Sequence, residues 1–357
     1  MRVMVAMSGG VDSSVAAGLL VEAGHEVVGA TLKLWGGLSD SGCCSVADVD
    51  DARTAARQLD VPHHVFNLAE RFETSVVDHY VEEHRRGRTP NPCIECNRHV
   101  KFGTLLERAR RLGFDALATG HHARVVHRDG APRLARGVDR AKDQSYVLSM
   151  LTCGQLAEVV LPIGSMTKAE VRAHAERLRL VTASKPDSQD VCFIQSGAGR
   201  RRFLEDRLPL HEAQLVDAGS GAVVGSVDAV ELVTVGQRRG LGVAVDGRRR
   251  FALSVDVGGR RVVVGDADAA SSVRVELEAP TWVEHPLPPG SPVLAQTSAH
   301  GAASPGTWDG RGLVFDRPQR GVAPGQTVAF YDPRRPDLVV GAAIAARAGA
   351  ASGPGSA

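Results

Sequence analysis

The chain opens on an unbroken apolar run, Val3–Met7, followed at once by small polar residues and then by apolar positions at helical spacing (Val15, Ala16, Leu19, Leu20). A short apolar run bounded by turn residues reads as a buried strand, and the spacing after it as a helix over Ser13–Ala23. The alternation continues. His25–Leu32 reads as a strand and Val46–Leu59 as a helix, with Gln58-Leu59-Asp60-Val61-Pro62 as its exit. His64–Asn67 is a short strand, and His63-His64 at its start suits packing. Ala69–Arg86 and Val100–Leu112 are helical, the second closed by Gly113, and Ala116–Gly120 is a strand. Strands alternating with helices predict an α/β fold with a doubly wound parallel sheet. Ligands of such sheets bind beyond the carboxyl ends of the strands, where Ser8–Ser14, Leu32 and Gly120 fall.

Two further helical patterns follow, Gln144–Leu151 and Lys168–Leu178, the latter with Thr167 and Glu170 as a capping pair. After about Ser196 short Val- and Gly-rich alternating segments take over: Gly221–Val227, Leu232–Val235, Arg249–Val257 and Arg261–Gly265. From about Ser272 the pattern is again all β (Val273–Leu277, Val293–Gln296, Gly312–Phe315, Thr327–Tyr331, Val339–Ala345), with a Pro-rich loop over Pro286–Pro292. Even strand spacing predicts a small barrel. The expected organisation is an α/β domain over 1–196, a small central β-rich domain over 197–270, a C-terminal β-barrel over 271–346, and a disordered Ala/Gly/Ser/Pro tail over 347–357.

Composition changes little. The 357 residues are 43% hydrophobic and 23% charged, with a net charge of +1. No apolar run approaches the roughly 18 residues of a membrane span, and the chain starts directly in a strand rather than in a secretory leader. A cytoplasmic location is the expectation. Arginine clusters at 85–88, 108–111, 200–202, 238–239 and 248–250 read first as solvated faces and secondly as a phosphate-contacting footprint. Six cysteines in such a chain are not a disulfide framework. Cys43-Cys44 and Cys153 read as ordinary thiols, which leaves the Cys93-x-x-Cys96 pair and Cys192 as the chemical ones.

The string Ser8-Gly9-Gly10-Val11-Asp12-Ser13-Ser14 lies between the first strand and the first helix. Two glycines admit a ligand close to the backbone, and helix-start N–H groups with serine hydroxyls make an anion site. The spacing fits neither the lysine-containing phosphate loop nor the dinucleotide fingerprint. Three more strings carry functional groups: Gly87-Arg88-Thr89-Pro90-Asn91-Pro92-Cys93-Ile94-Glu95-Cys96-Asn97, Ala118-Thr119-Gly120-His121-His122, and Lys185-Pro186-Asp187-Ser188-Gln189-Asp190-Val191-Cys192-Phe193-Ile194. Lys142-Asp143-Gln144-Ser145-Tyr146 lies between the last two. Asp187 and Asp190 read as residues that order the Cys192 segment, or as plain loop and cap residues.

The glycine string resembles the pyrophosphate-binding loop of the ATP pyrophosphatases. Taken in order, the strings through Gly236-Gln237-Arg238-Arg239-Gly240-Leu241-Gly242 resemble the bacterial tRNA-specific 2-thiouridylase family, over about two thirds of the chain. The resemblance implies an ATP-dependent sulfurtransferase acting on the wobble uridine of tRNA. It implies adenylation of the uracil C2 oxygen, sulfur transfer from a cysteine persulfide, and release of AMP and pyrophosphate. It carries over ATP and Mg²⁺ as requirements, tRNAs for Lys, Glu and Gln as substrates, and a cysteine desulfurase or relay protein as sulfur donor. Residue by residue it makes Cys192 the persulfide carrier and Cys96 the second catalytic cysteine, the two ending as a disulfide. Ala6, Met7, Ser8, Gly9, Gly10, Val11, Asp12, Ser13, Leu32 and Gly120 would contact ATP, with Asp12 orienting Mg²⁺ or pyrophosphate. Asn91, Pro92 and Cys93 would line the target base. His121, Lys142, Asp143, Gln144 and Gln326 would touch tRNA.

Two positions depart from the family pattern. Cys93 stands where many members have Asp. Cys93, Cys96 and Cys192 thereby become a candidate three-thiolate ligand set for a [4Fe–4S] cluster, which leaves a cluster route open beside the persulfide route. In the barrel, Ser298-Ala299 stands where the family presents an Arg-Tyr-type tRNA contact. Two other functions remain as alternatives. One is a different adenylating enzyme with the same loop, such as argininosuccinate synthase or an amidotransferase-type synthetase. The other is a redox or metal-binding RNA-binding protein whose loop binds phosphate without catalysis.

Overall fold

The computed structural model describes residues 1–34, 45–187, 191–194, 199–243 and 247–346. Cys43-Cys44, Asp190 and the expected tail from 347 lie outside the described residues. Among the described residues no helix is long and apolar enough to cross a membrane.

The first sheet is parallel and has five strands: β1 (Arg2–Ala6), β2 (Glu26–Lys33), β3 (His63–Asn67), β4 (Ala116–Thr119) and, beyond a hairpin described below, β7 (Val159–Val160). Their order is β3-β2-β1-β4-β7. β1 is apolar on both faces because both are covered. Val3 and Val5 point to the side of α1 (Val11–Glu22), α2 (Val46–Gln58) and the Lys168–Arg177 helix. Met4 points to the other side, into a core with Phe72, Tyr80, Val100 and Phe102 from the helical runs 69–85 and 92–111. Period-two alternation thus sorts one strand into two helix layers. The run 92–111 begins earlier than periodicity predicts, because Asn91 caps it and Pro92 occupies its first turn. From Cys96 to Leu105 it continues as a π-helix, a widened form frequent at functional sites.

A four-stranded sheet follows, built from β8 (Ala213–Asp217), β9 (Val223–Val227), β10 (Phe251–Asp256) and β11 (Arg261–Gly265) in the order β10-β11-β8-β9. The strand expected at Leu232–Val235 is replaced by a 3₁₀ turn at Val230–Leu232. Val230 and Val233, three apart, both enter the core of this sheet, which a 3₁₀ turn achieves and an extended strand does not.

β12 (Ser271–Trp282), β13 (Ser291–Gln296), β14 (Ser304–Trp308), β15 (Gly312–Arg320), β16 (Thr327–Asp332) and β17 (Arg335–Ala345) run β12-β15-β14-β13-β16-β17, and β12 also pairs with β17. The six strands therefore close into the expected barrel, which removes free edges. Its sheet is extended by a hairpin absent from the sequence reading: β5 (Ala123–Arg128) and β6 (Ala131–Arg136), with Ala135 paired to Leu338 of β17. The hairpin turns at Asp129-Gly130, both at positive φ, the Asp-Gly signature of a tight turn. Arg136 stacks on the ring of Tyr331 at 3.7 Å, and the buried Tyr146 hydroxyl donates to Thr327 O at 2.8 Å. The barrel is thus fastened to the α/β unit through buried polar groups.

Candidate active site

β1 and β4 are neighbours, and the chain winds from them toward opposite ends of the sheet. Their carboxyl ends form the crevice in which such sheets hold ligands. The Met7–Gly10 loop leaves β1 there, and Gly120 leaves β4.

α1 starts at Gly10 without a side-chain cap, whereas α2 and the Lys168–Arg177 helix start with complete capping boxes, Ser45/Asp48 and Thr167/Glu170. First-turn N–H groups have no partner inside a helix, and the helix dipole favours an anion beside them. The loop keeps its shape by bonding to itself. Ser8 N donates to Ser13 Oγ (3.1 Å), and the Ser13 and Ser14 hydroxyls donate to Gly10 O (3.2 and 3.0 Å). Gly9 has φ +74°, and a Cβ there would lie 2.2 Å from Asp48 O at the start of α2. A Cβ on Gly120 would lie 2.5 Å from Ser13 N. Both glycines are thus demanded by backbone packed on backbone. Met7 is buried, its N–H on Ala30 O and its carbonyl accepting from the Thr31 hydroxyl. Ala6 ends β1, Val11 is buried in the core of that face, and Leu32 is buried on β2 opposite Phe66 of β3.

Asp12, in the first turn of α1, holds a cation from far along the chain. Lys168 Nζ lies 2.7 and 2.8 Å from its two oxygens, and His122 Nε2 lies 3.2 Å from one of them. Burial raises the Asp12 pKa, but the hydrogen bonds from His122 and Lys168 outweigh it, so the carboxyl stays below its ordinary range. Lys168 also reaches Asp187 (2.8 Å), as do Lys142 (2.8 Å) and Arg172 (3.0 Å). Burial pulls Asp187 upward, yet the hydrogen bonds from Lys142 and Lys168 set it at about 2. Lys185 Nζ binds Asp48 and Asp51 of α2, both at 2.6 Å. Lys168 and His122 were not singled out from sequence. One local sign did exist for Lys168: a cation at the first position of a helix is disfavoured by the dipole unless carboxylates meet it.

The Cys96 segment is held from the barrel. Gln326 Nε2 donates to Thr89 O (2.5 Å), and Thr89 N donates to Pro324 O (2.7 Å). Asn91 Oδ1 accepts from Cys93 N (3.1 Å) and fixes the start of the helix that carries both cysteines. Cys93 is exposed, Cys96 is 7% exposed in the core, and Cys192 is half-buried against the same core. Phe193 anchors the Cys192 segment among Phe72, Tyr80 and Phe203, with centroids 5.0–5.7 Å apart.

The remaining expected site residues are placed as follows. Lys142 is half-exposed on Asp187. Gln144 exchanges two hydrogen bonds with the His122 backbone (2.8 and 2.9 Å). Asp143 is half-buried, its carboxylate bound by Arg136, Gly137 N and Ser145. His121 is buried between Thr119 Oγ1 (2.6 Å) and Phe102, and burial holds it well below the ordinary histidine pKa. Several arginine clusters are locally neutralised: Arg85 and Arg86 by Glu82, Arg88 by Glu83 and Glu278, Arg110 by Glu158, Arg201 by Glu205.

Among the described residues no group of three or more His, Cys, Asp or Glu side chains is placed to hold a metal ion. Cys93, Cys96 and Cys192 do not form such a group among the described residues; Cys93 is exposed and Cys96 is buried. Asp12 offers a single carboxylate at the anion site. That suits Mg²⁺ carried mainly by phosphate oxygens rather than by a protein cage.

The model of the tRNA methyl transferase HUP domain matches residues 1–196, that of the tRNA methyl transferase PRC-barrel domain residues 201–266, and that of the aminomethyltransferase beta-barrel domain residues 297–345. A Saccharopolyspora erythraea protein named tRNA-specific 2-thiouridylase MnmA is 46% identical over 97% of this chain and 99% of its own length. The chain belongs to the tRNA-specific 2-thiouridylase family. Thiouridylases of Acidothermus cellulolyticus (46% identity, 97% and 98% covered) and Salinispora tropica (45%, 97% and 99%) are equally similar. A solved 4-thiouridine synthetase–RNA complex with bound ATP aligns at TM-score 0.35 and 17% identity over 54% of this chain and 44% of that one. That likeness is too slight to bear on function. Thiouridylase-family membership runs through all three sheets of the molecule, from the uncapped α1 to the barrel, where Gln326 stands just before β16.

Proposed function

We propose that this chain is an ATP-dependent tRNA 2-thiouridylase that puts sulfur on C2 of the wobble uridine. The observation that carries the reading is the crevice between β1 and β4. An uncapped helix start, two glycines pressed against backbone and the Lys168–Asp12 ion pair make a site shaped for a polyphosphate. The helix bearing Cys96 and the segment bearing Cys192 pack on one core beside it.

A uracil C2 oxygen is a poor leaving group. Attack of that oxygen on the α-phosphorus of ATP expels pyrophosphate and makes it a good one. The N–H groups of α1, with Lys168 near them, would stabilise the charge that gathers on the departing pyrophosphate. Mg²⁺ would be held by phosphate oxygens and Asp12, and would add further charge neutralisation. A persulfide on Cys192 then attacks C2 through its terminal sulfur, and AMP departs. Cys96 thiolate attacks the inner sulfur of Cys192, which frees the thiocarbonyl and leaves a Cys96–Cys192 disulfide for a two-electron reductant. The target base must leave its stack to enter, which costs little in an anticodon loop. Asn91–Cys93, held in place from the barrel through Thr89, would line it. Lys142 and Gln144 would meet RNA at the rim. The tRNAs for Lys, Glu and Gln, and a desulfurase or relay protein as donor, are the expected partners.

The test is a single-turnover assay with unmodified tRNA, ATP, Mg²⁺ and a persulfide donor, reading 2-thiouridine by mass spectrometry and AMP by chromatography. Wild type should form both. Cys192→Ser should leave AMP on the tRNA, and Cys96→Ser should release AMP but leave the tRNA joined to Cys192, neither giving 2-thiouridine. Absence of both products in the wild type would sink the reading.

A further inference from the structure

Arg85, Arg86, Arg110 and Arg111, on or beside the helical runs 69–85 and 92–111, each have a carboxylate partner. Arg71 on the first run and Arg98 on the second differ: among the described residues neither makes an ion pair. Both line a cavity of about 440 Å³ between the two runs and Ile344 of the barrel strand β17. The Thr74 and Ser75 hydroxyls at its wall donate to carbonyls of their own helix. The donors left to the cavity are therefore the two guanidiniums and the imidazoles of His79 and His99. Glu95 is the single acid among the described lining residues, buried and bound by His99 at 3.1 Å. Burial raises its pKa, but the hydrogen bond from His99 and the charges of His79, His99 and Arg98 hold it below the ordinary range. Counted with neutral imidazoles, two guanidiniums less one carboxylate leave the lining at a net charge of +1.

The cavity adjoins the path of the target base. Glu95 and Arg98 flank Cys96 on its helical run. On the barrel side, Ile344 is the cross-strand partner of Thr327, the residue after Gln326. Gln326 in turn holds Thr89, just before the Asn91–Cys93 start of the Cys96 helix. We propose, resting on the tRNA reading above, that this cavity is a subsite for one backbone phosphate of the RNA, held by Arg71 from one helical run and Arg98 from the other. A guanidinium presents a planar fork of donors that matches phosphate oxygens, and two forks from separate helices fix a phosphate from two sides. The single charge of a phosphodiester balances the lining, whereas a phosphate monoester brings nearly two. Such a contact sets the register of the RNA beside Cys96 and reads no sequence.

The experiment is fluorescence anisotropy of end-labelled, unmodified tRNA with the full-length protein, in KCl from about 50 to 200 mM. Each phosphate neutralised adds roughly 0.7–0.9 to the slope of log affinity against log salt. Arg71→Gln and Arg98→Gln should each weaken binding roughly three- to tenfold and lower the slope by about 1, equally for tRNAs of different anticodon. Arg98→Lys keeps the charge and should keep the slope. Arg177→Gln removes a like charge from the helix on the opposite face of the first sheet and should change neither quantity. Thermal melts and ATP calorimetry should match the wild type throughout, so that a folding defect is not read as lost contact. Wild-type affinity and slope in Arg71→Gln and Arg98→Gln, or an equal loss in Arg177→Gln, overturns the subsite. A wild type that binds no tRNA overturns instead the reading on which the subsite stands.

Discussion

Lys168 and Asp12 meet across 156 residues of chain, with the ammonium within 2.8 Å of both carboxylate oxygens. The pair places a lysine at an anion site whose loop contains none. Removing one member of a partly buried pair leaves the other charge uncompensated. Lys168→Met should weaken ATP binding by about tenfold or more, roughly 1.4 kcal/mol, and slow tRNA-dependent AMP formation in parallel. Titration calorimetry and AMP release check it; unchanged affinity would remove Lys168 from the site.

Gly120 predicts a sharper effect. A methyl there would sit 2.5 Å from Ser13 N and 2.6 Å from Asp12 C, both backbone atoms. Backbone cannot swing aside, so Gly120→Ala must push the start of α1 away from β4. Overpacking of this kind costs about 1–3 kcal/mol. The expected result is a modest fall in thermal stability with near-complete loss of ATP binding. A variant that binds ATP normally would show that α1 tolerates displacement.

Gln326 acts at a distance from the nucleotide. Its amide holds Thr89 O, two residues before Asn91. Gln326→Ala should cost on the order of 1 kcal/mol of local order. It should lower kcat for thiolation severalfold while leaving the KM for ATP unchanged. A rise in the ATP KM instead would place the effect in the α/β unit.

His84 supplies a pH dependence. It is 1% exposed, its Nδ1 on Glu231 O at 3.0 Å, and burial chiefly holds its pKa at about 4 against an ordinary 6.5. Below pH 6.5 the unfolded chain takes up a proton that the native chain refuses until about pH 4. The stability is therefore full above 6.5 and lost as pH falls through that window, by on the order of 3 kcal/mol for this shift. Denaturant melts from pH 7 to 4 should show the loss, and His84→Gln should flatten the slope. Equal slopes would move the proton uptake elsewhere.

The sequence by itself determined the strand–loop–helix at Val3–Glu22, the strand–helix alternation that follows, and the change to mostly β structure after 196, which the Gly199–Glu205 helix interrupts. These are set by local periodicity, by glycines at backbone contacts and by residues that begin and end helices, all of which act over a few neighbours. Cys96 and Cys192 stood out in the sequence for the same reason: their strings are local and unusual. The Asp129-Gly130 hairpin was written just as locally, yet only the barrel strand at Leu338 gives it a purpose. What the tertiary structure alone decided is which charges meet. Lys168 on Asp12 and Asp187, Gln326 on Thr89, and His84 on Glu231 join residues 19 to 237 positions apart. Cys93 and Cys96, three apart on one helix, were separated into solvent and core by the same packing. An ion pair or a buried hydrogen bond depends on where folding brings its partner, and no periodicity encodes that.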